Sequence, residues 1–193
     1  MARLKTSRFL PIILIILVSI IAIVALVSFA RALFFSGGST TQIDQSREAL
    51  LSTTAERKVQ LTVRGPIVAD ENFHSYTITV TPNTRQLTTH SGYLDSVVDN
   101  ISLGNNVAAY EQFAHALDKA QMWRGTQLTG ERNDVRGVCA TGKVFEFSII
   151  HEDEEVKRLW TSTCGNAKGT LIARHDAIVT LFQNQVPDAK TVI

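Results

Sequence analysis

The stretch from Phe9 to Ala30, FLPIILIILVSIIAIVALVSFA, constrains this chain more than any other, because its 22 residues carry no charge. As a helix it would be about 33 Å long, enough for a hydrocarbon core of about 30 Å, so a membrane anchor is expected over residues 9–35. A cleaved signal peptide has an apolar region of only about 7–15 residues, and length therefore favours an uncleaved anchor. Ser28-Phe29-Ala30 and Ala30-Arg31-Ala32 do satisfy a small-x-small rule for cleavage. Pro11 falls in the first turn, where a missing N–H costs nothing. Arg3, Lys5 and Arg8 precede the helix, whereas the far side offers Arg31 and then nothing basic before Arg47. That asymmetry keeps residues 1–8 in the cytoplasm and carries the rest across, which predicts a single-pass cell-membrane protein with its C-terminal domain outside.

Past the anchor lies about one domain's worth of chain, enough to bury a core without metals or many staples. Four of the 19 basic residues stand at or before Arg31, leaving 15 against 18 acids in the exported part. Such a balance argues against nucleic acid or an anionic lipid surface as partner, since either wants a basic stripe. The two cysteines, Cys139 and Cys164, both belong to the exported part, and an even pair in an oxidising compartment predicts one disulfide. A hairpin turning between His151 and Asp153 would set them opposite each other or one diagonal step apart on neighbouring strands. A redox-active pair would want the C-x-x-C spacing that they lack.

Residues 36–56 open on SGGSTT and continue from Gln42 to Glu56 as a polar stretch with few large apolar residues, open to a short juxtamembrane helix or a spacer and expected to be a linker. From Arg57 the period changes to two. Val59, Leu61 and Val63 alternate with polar residues up to Gly65-Pro66, and Tyr76, Ile78 and Val80 do so up to Pro82-Asn83, which predicts two antiparallel strands. Gln86 to Thr89 suggests a weak third strand, and Leu94, Val97, Val98 and Ile101 one or two helical turns. After the capping pair Asn105-Asn106, Tyr110, Phe113, Ala114 and Leu117 outline a helix. Phe145, Phe147 and Ile149, then Val156 to Cys164, predict a β-hairpin turning at the acidic His151 to Glu155. Ala177, Ile178, Leu181 and Phe182 outline a last helix that Pro187 closes, leaving residues 188–193 as a tail. The domain over residues 57–187 is thus expected to be α+β, an antiparallel sheet with two packed helices. Its core should hold Val59, Leu61, Val63, Tyr76, Ile78, Val80, Phe113, Leu117, Phe145, Phe147, Trp160, Ile178 and Phe182.

Chemistry is thinner. His-Glu-Asp-Glu-Glu from His151 has no second ligand group at metal spacing, and Asp70-Glu71-Asn72 lacks the alternation of a calcium loop. No G-x-S-x-G and no glycine-rich phosphate loop occurs, so no catalytic, metal or cofactor-binding residue is assigned and no cofactor is expected. The expected function is a membrane-anchored extracytoplasmic binding or assembly module, with the bilayer as one partner through residues 9–35 and another envelope protein or peptide as the second. Two alternatives stand beside it. A tethered enzyme would assemble its site from distant positions, with His151 and Glu154, or His175 and a remote acid, as candidates. A pilin-like envelope subunit would also join an apolar N-terminal helix to a disulfide-bearing β domain, but no Gly-Phe processing site precedes this apolar run and no Glu sits early within it.

Overall fold

The computed structural model describes residues 14, 16–24, 45–187 and 189. The chain divides into two compact units, Met1–Gln42 and Ile43–Ile193. In the first, the described residues are helical and their apolar side chains are exposed. Among the described residues no helix is long and apolar enough to cross a membrane. Much of the expected anchor, the cytoplasmic tail, the segment 36–44 and most of the C-terminal tail lie outside them.

The second unit is α+β. Its elements are α1 (Gln45–Leu51), β1 (Arg57–Arg64), a 3-10 turn (Asp70–Asn72), β2 (His74–Val80), β3 (Thr84–Ser91), β4 (Ser96–Gly104), α2 (Val107–Lys119), a second 3-10 turn (Gly130–Asn133), β5 (Val144–His151), β6 (Glu154–Ser162) and α3 (His175–Gln183). The six strands form one antiparallel sheet in the order β4-β3-β2-β1-β5-β6. β1 is central because its alternation gives it a fully apolar face: Val59, Leu61 and Val63 sit opposite Val80, Ile78 and Tyr76 of β2, and opposite Ile149, Phe147 and Phe145 of β5. The helices cover that face. Phe113 of α2 meets Phe182 of α3 edge to face at 5.2 Å, and all the side chains expected in the core are buried. α2 starts where the capping pair predicts, with the Asn106 side chain accepting from the Ala109 N–H at 2.9 Å.

Three segments depart from expectation. Residues 94–101 form the end of a turn and most of β4 rather than helical turns. On a strand with exposed flanks no alternating burial marks the sequence, so Val97, Val98 and Ile101 mimic helical spacing. Residues 45–51, inside the stretch expected to be linker, form α1, with Ser46, Ala49 and Leu50 buried against the core, so three helices pack on the sheet instead of two. A seven-residue helix with two leucines carries too little periodic signal to decide between a short helix and a spacer, and tertiary packing holds it.

The third departure is β5. Its residues are buried on both faces up to Ile150, and at its start the loop between α2 and β5 folds over the far side of the sheet. There Val135, Cys139, Val144 and Trp160 make a small second core, so Trp160 packs apart from the main one. Beside it the buried Glu146 is gripped by two arginines on adjacent strands. Arg64 donates from Nε at 3.0 Å, and Arg158 donates from Nε at 2.9 Å and again from Nη2.

Candidate functional site

Cys139 and Cys164 stand at disulfide-bonding distance, with their Cα atoms 5.5 Å apart. The ladder does not bring them together as expected. Val144 opposite Ser162 is the last pair of the hairpin, and both cysteines lie beyond it, in the loops that run off the strand ends. The β5–β6 turn is two residues long, with Glu152 and Asp153 both at positive φ (49° and 71°), which matches the twist of the flanking strands. Gly142 lets the loops approach: a Cβ there would lie 2.9 Å from the Cys139 sulfur and 2.2 Å from Thr163 Oγ1.

The histidine candidates remain dispersed. His151 faces Glu154 across the turn, and its Nε2 lies 4.0 Å from Glu152. His175 leans on Phe145, ring centroids 4.9 Å apart, and its Nε2 reaches Asp176 at 3.1 Å. Among the described residues no three His, Cys, Asp or Glu side chains cluster as metal ligands.

What stands out instead is the difference between the two edges of the sheet. The β6 edge is closed. The backbone N–H of Trp160 donates to Thr170 Oγ1 and its carbonyl accepts from the Thr170 and Leu171 N–H groups; the backbone N–H of Arg158 donates to Gln127 Oε1; and Thr161 Oγ1 donates to the Lys168 carbonyl. Gly169 makes this approach possible, since its φ is +78° and a Cβ would lie 2.1 Å from the Trp160 oxygen. The β4 edge is open. Among the described residues, hydrogen bonds to the β4 backbone come only from β3 and from within β4, including Arg85 Nε and Nη2 onto the Gly104 carbonyl at 3.0 and 2.8 Å. Natural sheets usually blunt or cover such an edge, because its unpaired N–H and C=O groups are a template for another strand.

An apolar tip adjoins this edge. The turn Gly92–Asp95, with Gly92 at φ 72° and Asp95 at φ 52°, thrusts Leu94 into solvent at 91 % exposure. Tyr93 stacks on Phe73 at 4.2 Å, while its hydroxyl donates to the Val68 carbonyl at 2.8 Å and accepts from the Val68 N–H at 3.1 Å. These bonds tie the loop bearing the exposed Ile67 and Val68 to the turn that bears Leu94, and the exposed Val97 and Val98 follow that turn on β4. A contiguous exposed apolar patch is a mark of an interaction site.

A cleft of about 460 Å³ crosses the sheet from Lys143 and Val63 to Val98 and Asp99. It follows one row of opposed residues across four strands, Val63, Tyr76, Thr89 and Asp99, and so ends at the open edge. Lys143, His74 and Asn72 supply polar groups along it. Burial pushes the Tyr76 phenol up, against a lowering hydrogen bond from Gln183. The sequence misses this surface because an edge strand and a turn show their role only once their neighbours are known. No family model and no curated protein sequence matches the chain.

Proposed function

We propose that this chain is a single-pass membrane protein whose extracytoplasmic α+β domain is a binding or assembly module, and that its partner adds a strand to β4. The anchor reading rests on the uncharged Phe9–Ala30 run and the basic residues before it, and export fits the cysteine pair at bonding distance. The observation that carries the binding reading is the unequal treatment of the two edges. One sheet has its β6 edge closed from Arg158 to Thr161 by side chains and backbone of its own chain, while among the described residues no strand lies outside β4, which adjoins exposed apolar residues. Strand addition at such an edge draws affinity from main-chain hydrogen bonds and specificity from alternate side chains.

Two measurements test this. Protease added to intact spheroplasts should digest the domain; survival until the membrane is lysed overturns the orientation. Amide hydrogen exchange, compared between native membranes and the purified full chain, should show β4 protected only in the membranes. Equal exchange of β4 in both overturns strand addition.

A further inference from the structure

Resting on the strand-addition reading, the chemistry of β4 itself identifies the segment it pairs with. The register shifts between Thr89 and His90, leaving Val98 as the extra residue, so regular pairing on β3 begins at Asp99. At the other end the Arg85 guanidinium occupies the Gly104 carbonyl. The usable edge is therefore Asp99 to Leu103, about 17 Å of strand.

Its two faces differ. Asp99, Ile101 and Leu103 lie opposite Thr89, Leu87 and Arg85, on the face that carries the helices, and Ile101 and Leu103 are already half-buried against the main core. Asn100 and Ser102 lie on the other face, where Asn100 Oδ1 accepts from Gln86 Nε2 at 3.1 Å. A strand added here would cover Ile101 and Leu103 with apolar residues and meet polar ones on the opposite side. Asp99 adds a sign. Its carboxylate accepts only the N–H of the next residue, at 2.8 Å, and it forms no ion pair among the described residues. Asp99 shares its cleft with Lys143, His74 and His90 without pairing with any of them, and two more acids stand at the turn before β4: Asp70 is bound to the Tyr93 N–H, and Asp95 lies 3.8 Å from Arg64, whose Nε is committed to Glu146.

We propose that β4 takes up an extended segment of a partner protein, antiparallel to Asp99–Leu103, with apolar residues opposite Leu103 and Ile101 and a lysine or arginine opposite Asp99. A second copy of this chain fits less well. Two β4 strands paired about Ile101 would set each Asp99 opposite Leu103 of the other copy and strip water from two carboxylates with no cation to meet them. The bilayer fits less well too, because the acids around the apolar tip repel an anionic lipid surface.

The test uses the full chain in neutral phosphatidylcholine nanodiscs and two fluorescent peptides, Thr-Val-Thr-Val-Thr-Lys-Thr and its counterpart with Glu in place of Lys. The Lys peptide should bind about tenfold or more tightly than the Glu peptide and should slow amide exchange in β4. Asp99→Lys should reverse the preference and Asp99→Asn should abolish it, with unchanged melting showing that both variants fold. Equal binding of the two peptides with β4 protected overturns the basic-segment assignment and leaves strand addition standing. Failure of the Lys peptide to protect β4 also overturns this assignment, while β4 protection in native membranes would still support the broader reading. Concentration-dependent self-association that protects β4 without peptide points to a second copy and overturns it as well. So does protection of Leu94 and Val97 by anionic vesicles alone.

Discussion

Arg47 donates from Nε and Nη2 to the two carboxylate oxygens of Asp118, at 2.7 and 2.8 Å, and thereby pins α1 to α2. The same carboxylate accepts from Trp123 Nε1 at 2.8 Å, and the Arg47 guanidinium lies 6.0 Å from the Trp123 ring centre. The Arg47 hydrogen bond holds the Asp118 carboxyl below the usual carboxylate range. Stability from a depressed carboxylate is full above its unfolded value, near 4, and is lost as pH falls through the lower folded value. Wild type should therefore lose melting temperature below about pH 4 more steeply than Asp118→Asn. Parallel melting curves of the two against pH would refute the linkage.

The helix should matter to the fold as well as to the surface. Leu50 is fully buried in the main core, so Leu50→Ala should cost about 2–5 kcal/mol. Urea unfolding of the domain measures it, and an unchanged midpoint would return residues 45–51 to the linker.

Glu146 sits between Arg64 and Arg158 with little water of its own. Glu146→Gln keeps the shape, leaves Arg158 without its anion and leaves Arg64 only Asp95, 3.8 Å away. The loss should be about 3 kcal/mol, at the low end for a broken buried pair because Arg64 stays partly solvated. Replacing Glu146 together with both arginines by apolar residues should recover much of that loss, and a double-mutant comparison with Arg158→Met reads the coupling.

At a sequence separation of 25, a bond between the two cysteines should stabilise the domain by about 3 kcal/mol. Replacing both with Ser should lower the denaturation midpoint by that amount, and non-reducing peptide mapping should recover a linked pair. Two alkylated cysteines would place the domain in a reducing compartment.

Gly169→Ala introduces a Cβ against the Trp160 carbonyl at a backbone conformation that only glycine adopts freely. The loop should leave the β6 edge, at a cost of at least about 1–2 kcal/mol. Amide exchange should then quicken along β6 and not along β4. The reverse pattern would mean that the closed edge has been assigned to the wrong side.

The α+β class, β1, β2 and the β5–β6 hairpin, the two longer helices and the core were legible in residues such as Val59, Leu61, Val63, Tyr110 and Phe113. Each of those segments repeats its burial pattern over several residues, and local periodicity survives in a linear string. The cysteine pairing was legible only as an even count: the loops that close it depend on Gly142 and on where two strands stop. α1, β4 and the double burial of β5 were decided by neighbours that are distant in sequence. Leu50 has a core to enter only because α2 lies beside it, Val144 is buried only because the loop before β5 packs on it, and β4 is exposed because no described strand pairs with its outer side. The candidate interaction surface follows from that last fact. An edge is a property of the order in which strands assemble, which is set by long-range packing rather than by any residue of the edge itself.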